Sequence, residues 1–428
     1  MGGVATASGS GSHEAGGDWV AARAWARSGV MSLCGHPSGP PLLPPLAAPA
    51  RLDSVVDEIR VLTGQCGHQV TVRWESALAG RARILGLTRR GRTSSNGSCR
   101  ILAAPDGDVT LNLPRSDDLS LVPALTSDAG AARDPWATLV RFAASTAAAE
   151  FVTRARMLGL AASVAGERAP EAVPQPDRAA YRTVPRGDRA APKPASEVTV
   201  VDLSSLWAGP VTARVLSEAG ATVVKVEDPA RPDGSRRLPH LYSWIHPGGE
   251  TVEPVDLTAR EGRRRLASLL DSADVVIESS RPRALEQIGL APEQRPGPPG
   301  QVWVSITGHG RSGQAREWTG FGDDAAIAGG MLCTDAAGSV TFCGDAIADP
   351  ITGLVGALAV LRGLAAGEGQ IVDVSLSGVS AWASAPAGPA SHAPSPLLTV
   401  EADGDGWLLR CGKLTETVAA VAPSLDWV

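Results

Sequence analysis

The sequence predicts an α/β protein with a parallel sheet in the second half of the chain. The alternation of elements predicts it. From Glu197 onward, short β-branched runs alternate with apolar-striped helical stretches. Strands separated by helices in this way pair in parallel through crossover connections.

The elements follow in order. Val198 to Ser204, VTVVDLS, is a compact run suited to a buried strand. It passes through Trp207-Ala208-Gly209-Pro210 into VTARVLSEAG, a helical stretch closed by Gly220. Thr222 to Glu227 reads as a second strand, and REGRRRLASLLDSA as a helix leading to a third, Asp274 to Ser279. Gln301 to Gly308 is a fourth. Gly353 to Leu364 is a small-residue helix, and Ile371 to Leu376 a strand after the turn framed by Gly367 and Gly369. LLTVEADGDGWLLRCG, near the carboxyl end, has Asp-Gly pairs between apolar runs, as hairpins do.

Upstream, residues 1–18 have a composition that predicts disorder, and a patterned region runs from 19 to 165. Residues 166–196, rich in Pro, Ala and charge, read as an exposed linker. The large α/β region spans 197–387, and 388–428 form a short hairpin-like segment. Three stretches of the first region echo the second in the same order. WARSGVMSLCG echoes IAGGMLCTDAAG; LTGQCGHQVTV echoes the glycine turn and strand of 366–374; CRILAAPDGDVTLNL echoes PLLTVEADGDGWLLRC. A partial duplicate is one reading, and Gly-rich turns that look alike anywhere is the other. Under the first, PPLAAPARLD stands where the second copy has GDAIADPITG, so one complete site per chain is expected.

Composition narrows the function. A formal charge of −6 leaves no basic footprint for nucleic acid. No uninterrupted apolar stretch approaches 18 residues, the longest candidate being Ile351 to Leu364, so no membrane span is expected. With six cysteines spread widely and no CxxC pair, a disulfide scaffold is not expected, and the cytoplasm is the default location. The seven histidines are scattered, without HExxH, so no metal is expected. GxSxG is absent, and so is a GxGxxG phosphate loop after the first strand.

Residues 197 to about 380 resemble the family III CoA transferases, which also include acyl-CoA racemases. The resemblance rests on VVDLSSLWAGPVTARVLSEAGATVVKVEDP, GRRRLASLLDSADVVIESSRP, VWVSITGHGRSG and GDAIADPITGLVGALAVLRGLAAGEGQIVDVSLSG. It implies an open parallel Rossmann-like sheet in a large domain, a smaller α+β domain, and a homodimer, usually interlocked. It also implies coenzyme A as substrate or acyl carrier, with an acyl-CoA and a small carboxylic acid as partners. Asp349 falls on the family's catalytic aspartate, Gly329 and Gly330 on oxyanion or positioning sites, and Leu206, Trp207 and Ala208 on the loop near the CoA thiol. Lys225, Glu227 and Arg236 fall where the family surrounds the nucleotide, with Arg231 and Arg237 beside them. Asp345 is the neighbouring rival.

A carboxylate can attack a thioester to give an acyl-aspartyl anhydride, which divides one transfer into easier steps. The residues around Asp349 also fit a helix N-cap followed by Pro, and both roles can coexist. Racemases place a histidine before an aspartate after the TG-x-G motif; here Phe321 and Gly322 precede Asp323, and His309 reads as a turn residue. Transferase is therefore preferred. The basic stretch common between the second and third strands is replaced by His246-Pro247-Gly248-Gly249-Glu250, and Arg263, Arg264 and Arg265 read as solvated helix surface. This departure keeps open a degenerate paralogue with only a CoA-binding or assembly role.

Overall fold

The computed structural model describes residues 10–168, 180–248, 250–386, 397–421 and 424–428. The amino-terminal helix α1 (Ser10–Ser28) buries Trp25 and Ala26 completely. Residues 10–18 are thus helical rather than disordered. Once Trp25 and its neighbours dock, the costly helical nucleus exists and the helix extends toward the amino end. Residues 1–9 of that expected tail lie outside the described residues.

Leu52, Val55 and Ile59 share one face of α2 (Ala48–Gln65), all buried. On α3 (Trp74–Leu85), Trp74 donates from Nε1 to Asp53 Oδ1 at 2.8 Å and meets Trp25 edge-on at 5.5 Å. Gly86, at φ +63°, closes α3 in the left-handed conformation that such caps need.

Then comes a smaller α+β unit. Its antiparallel sheet joins β1 (Cys99–Ala104), β2 (Gly107–Asn112) and β3 (Ala161–Val164). Helices α4 (Ser116–Ser120), α5 (Val122–Thr126), α6 (Pro135–Ala144) and α7 (Ala148–Met157) cover it. Leu111, Val122, Leu139 and Phe151 give it a core of its own.

The second half supplies β4 (Arg182–Pro185), β5 (Thr199–Asp202), α8 (Ala208–Glu218), β6 (Thr222–Glu227), α9 (Pro239–Ile245), β7 (Thr251–Pro254) and α10 (Arg260–Ser272). It continues through β8 (Val275–Glu278), α11 (Arg283–Glu286), β9 (Val302–Thr307), α12 (Gly322–Ala328), β10 (Leu332–Thr334) and β11 (Val340–Phe342). Last are α13 (Ala348–Ala366), β12 (Gln370–Ser375), α14 (Leu376–Ser384) and the strands β13 (Leu398–Asp403), β14 (Gly406–Cys411) and β15 (Leu414–Thr417).

The main sheet has the order β4-β12-β9-β8-β5-β6-β7, parallel throughout except at β4. β4 lies inside the stretch expected to be an exposed linker. β12 would otherwise leave an open edge, and the Thr183-Val184 dipeptide is β-prone enough to cover it. Residues 169–179 of that linker lie outside the described residues.

α13 is the helix on which the halves meet. Its small residues let α8 approach closely: a Cβ at Gly353 would lie 2.5 Å from the Ala208 carbonyl oxygen, and Thr212 Oγ1 donates to the Gly353 carbonyl at 2.8 Å. By length and hydropathy α13 could cross a membrane, but 78% of that stretch is buried inside the protein.

The first and third echoed pairs are alike, a helix end and a hairpin, but residues 66–73 after α2 form no strand where α13 is followed by β12. Each small sheet rests on a helix from the other half of the chain. β1–β3 rests on α12, where Ser163 Oγ donates to the Asp324 carbonyl at 2.9 Å and Gly166 N to the Ile327 carbonyl at 3.0 Å. β13–β15 rests on α1, where Arg23 Nε meets Glu416 Oε2 at 2.7 Å and Ala419 N donates to the Ala26 carbonyl at 2.8 Å.

Candidate active site

The loop before α13 turns through two positive-φ residues, Gly344 (φ +70°) and Ala346 (φ +41°). The second is a strained conformation for a residue with a Cβ, of the kind that concentrates at functional sites. Two bonds hold it: Ala346 N donates to Asp323 Oδ1 at 2.9 Å, and Asp349 N donates to the Ala346 carbonyl at 2.9 Å. The helix starts at Ala348 with Ile347 as its cap residue, and no side chain caps it. Asp349 is therefore the second helical residue and Pro350 the third. The capping role read from the sequence is not the one the structure builds.

The Asp349 side chain points at α12. A Cβ at Gly322 would sit 2.6 Å from its Oδ2 and 2.4 Å from the Ala346 carbonyl oxygen, so only glycine fits there. Three other carboxylates face the same spot. Asp323 and Asp324 come from the start of α12 and Asp345 from the loop, all buried, whereas Asp349 is half-buried. Asn96 Nδ2 donates to Asp323 Oδ2 at 3.0 Å, and Asn112 Nδ2 to Asp324 Oδ1 at 2.9 Å. Arg81, from α3, donates to Asp345 Oδ2 at 2.9 Å, and its guanidinium lies 5.3 Å from the Trp207 ring centroid.

Four acids with one nearby cation cannot all ionise easily. Burial, followed by the neighbouring carboxylates and opposed by Arg81, pushes Asp349 up to about 8. Burial likewise lifts Asp324 to about 7 and Asp323 to about 6, and raises Asp345. Asp345, the sequence rival, is sealed in and bound to Arg81. Asp349 is the member of the group that is not fully buried.

The other candidates divide. Leu206 (φ +71°) is a strained, exposed turn residue whose N–H donates to Asp233 Oδ1 at 3.1 Å, while Trp207 and Ala208 are buried at the start of α8. Lys225 is not placed to meet a ligand phosphate. Fully buried, its Nζ donates to the Ser204 carbonyl at 2.9 Å and pairs with Asp233 at 3.2 Å and Asp202 at 3.4 Å. A strand residue facing the helices has no route to solvent, so its charge is matched internally.

Glu227 is bound by Arg236 at 2.8 Å, and Arg236 lies over the Tyr242 ring at 4.2 Å. Arg231, Arg236, Arg237 and His240 are exposed along this loop. The N–H groups of Gly329 and Gly330 are already bound to the Ala325 and Ile327 carbonyls, both at 3.1 Å. They are not free oxyanion donors. Gly329 instead allows α14 to pack close, since a Cβ there would lie 2.4 Å from Ser380 Cβ.

His309 is buried against Trp318; burial and then Arg156 and Arg168 hold it down to about 3, so it is neutral at physiological pH. Arg263, Arg264 and Arg265 serve α10 and its surroundings, bonding the Leu257 and Thr258 carbonyls, Glu261 and Glu253.

Sequence reasoning passed over Arg81, Asn96 and Asn112, which belong to no motif, and left the Asp323-Asp324 pair without a role. The adjacent acids at a helix start were the one available signal. The fold also gathers Cys34, Cys333 and Cys343, whose sulfurs lie within 4.8 Å of one another beneath the 343–347 loop. Sequence spacing had kept them apart.

The CoA-transferase family III model matches residues 196–402, a stretch that contains α8, the α12 acids and Asp349. Residues 196–402 are similar to CoA-transferase family III. The succinyl-CoA–D-citramalate CoA-transferase of Chloroflexus aurantiacus is 30% identical over 199 residues, covering 43% of this chain and 50% of that protein. The succinate–glutarate CoA-transferase of Agrobacterium fabrum is 30% identical over 203 residues, covering 43% and 51%. A crystal structure of a CaiB/BaiF family protein from Brucella suis aligns with TM-score 0.44 at 26% identity, covering 51% of this chain and 66% of that one. The chain spans about half the length of the curated relatives it matches. The matched stretch thus holds Asp323, Asp324, Asp345 and Asp349, whereas Arg81, Asn96 and Asn112 lie upstream of it.

Proposed function

We propose that the protein transfers coenzyme A between an acyl-CoA thioester and a carboxylic acid, with Asp349 as nucleophile. The observation that carries this reading is that Asp349, beside Gly322, is half-buried while Asp323, Asp324 and Asp345 are buried. Among the described residues its oxygens take no hydrogen bond, which leaves a lone pair free to attack.

The ionised carboxylate adds to the thioester carbonyl; the new C–O bond forms as the C–S bond breaks, and CoA leaves as thiolate. The thiolate then attacks the aspartyl carbonyl, releasing the donor's acid and leaving CoA on Asp349. An acceptor carboxylate runs the two steps in reverse, so no net proton is consumed. Succinyl-CoA and small dicarboxylic acids, named in the relatives, are the first substrates to try.

The test is intact mass of the full chain after incubation with succinyl-CoA, with and without hydroxylamine. We expect a CoA adduct on Asp349 that converts to a hydroxamate and is missing from Asp349→Asn. An adduct elsewhere, or turnover by the Asn variant, overturns the mechanism. The internal use of Lys225 and of the Gly329 and Gly330 N–H groups favours the second reading, a CoA-binding paralogue without chemistry. CoA binding with no adduct from any donor would select it.

The exposed Arg231 and Arg237 are the side chains proposed to face the CoA phosphates. Reversing both to Glu should raise the KM for acyl-CoA about tenfold at low salt while kcat holds, and the effect should shrink as salt is added. Steady-state kinetics at two ionic strengths check this.

A further inference from the structure

We propose that Arg81, supplied by the first half of the chain, is the positioning cation that keeps the Asp349 carboxylate available as a nucleophile. The proposal rests on the transferase reading given above. Four elements converge on the site: α12 brings Asp323 and Asp324, the 343–347 loop brings Asp345, α13 brings Asp349, and α3 brings Arg81.

Arg81 brings a positive charge into the cluster through its 2.9 Å bond to Asp345, and it lowers the Asp349 pKa against the raising effect of Asp323, Asp324 and Asp345. Asn96 and Asn112 add neutral donors to the first two acids, and the Cys99 thiol on β1 lies on their side of the cluster. Charged side chains on the other elements packed against α13 have partners elsewhere. Arg51 of α2 donates to the Trp382 carbonyl, Asp53 accepts from Trp74, and Glu58 pairs with Arg362 at 2.6 Å. Arg214 of α8 bonds the Trp244 carbonyl and Glu218, and Asp373 of β12 accepts from Arg311 N.

The placement is fixed from two sides. Asp345 holds one edge of the guanidinium at 2.9 Å, and the Trp207 ring flanks it at 5.3 Å. A planar fork held between a carboxylate and an indole keeps its position, and it stays charged at any pH the protein survives. An unopposed cluster of four acids would bind a proton at the most basic member, and a protonated Asp349 cannot attack. Arg81 counters that tendency without touching the thioester.

The experiment measures the rate of Asp349 adduct formation from succinyl-CoA between pH 5.5 and 9.5. Wild type should show an acidic limb, absent altogether in Asp349→Asn. Arg81→Met should move that limb up by at least one pH unit, costing tenfold or more at pH 6.5 and much less at pH 9. Arg81→Lys should lie between. Asp345→Asn removes an anion and frees Arg81, so it should move the limb down.

Opposite shifts from two neighbours cannot come from a loosened site. A loss in Arg81→Met equal at every pH, or an unmoved limb in both variants, overturns the proposal. Should Arg81→Met not fold, Arg81→Lys and Asp345→Asn decide it alone. Failure of the transferase reading would look different, since no Asp349 adduct would form in wild type at any pH.

Discussion

Asp349→Asn will cost the protein 10³-fold or more in CoA transfer and at the same time make it more stable. The first effect follows from removing the atom that forms the covalent bond. The second follows from its protonation. In the unfolded chain the carboxyl titrates near the ordinary aspartate value, about 3.9, whereas burial and neighbouring acids push it up to about 8 in the native state. Between these two values the native state holds more protons than the unfolded one. Stability therefore falls as pH rises across that window. Asparagine has no proton to exchange and escapes the penalty.

The variant and wild type should match in stability near pH 4. They should diverge steadily to pH 8, where the gap reaches roughly 1–3 kcal/mol, or a few degrees in midpoint. Thermal unfolding at pH 4.5, 6 and 8 checks it. A gap that is constant with pH would mean Asp349 is ionised at neutrality without strain, and the Arg81 argument would lose its premise.

Lys225→Met will have the opposite character, a severe loss of stability. The ammonium is enclosed with Asp202 and Asp233, and Asp233 in turn accepts from Leu206 N, Ser235 N and Ser235 Oγ. Taking away the cation leaves two buried carboxylates without a counter-charge, which costs about 3–5 kcal/mol. Lys225, together with the Ser235 hydrogen bonds, holds Asp233 below the usual carboxylate range against its burial. A depressed carboxylate contributes stability above its unfolded value and loses it as pH falls through the folded one. The difference between variant and wild type should therefore narrow on acidification. Urea denaturation at pH 7 and pH 3 measures both. If Lys225 served the CoA phosphates instead, the variant would bind CoA weakly with its stability intact.

How much of this could be read beforehand differs by element. β5, β6, β8, β9 and β12 were legible to within a residue or two because buried parallel strands are continuous β-branched runs, and Thr222–Glu227 matches in full, whereas the exposed β7 was not read. β4 was missed since an edge strand of four exposed residues, pinned by β12, carries little pattern of its own. Asp349 was legible through its motif but not its setting: whether it capped α13 depended on where the helix began, which Ile347 decides.

Arg81 could not be found. In ALAGRARILG it looks like any surface arginine, and its value comes from Asp345, 264 positions away. Lys225 shows the reverse error, a lysine placed by family position near a nucleotide and placed by its strand in the interior. The cysteine trio illustrates the same limit, since closeness in space across 34, 333 and 343 leaves no trace in spacing.

The resting of β13–β15 on α1 bears on how the chain is made. Arg23 of α1 waits for Glu416, 393 residues later, before the face it belongs to is covered. A ribosome adds a further 393 residues after Arg23 before Glu416 exists and β13–β15 can close over α1, so part of the apolar flank of α1 stays bare over that stretch of synthesis. Such a face is a binding platform for chaperones and a site of aggregation when they are scarce. Losing β13–β15 would expose that flank of α1 permanently.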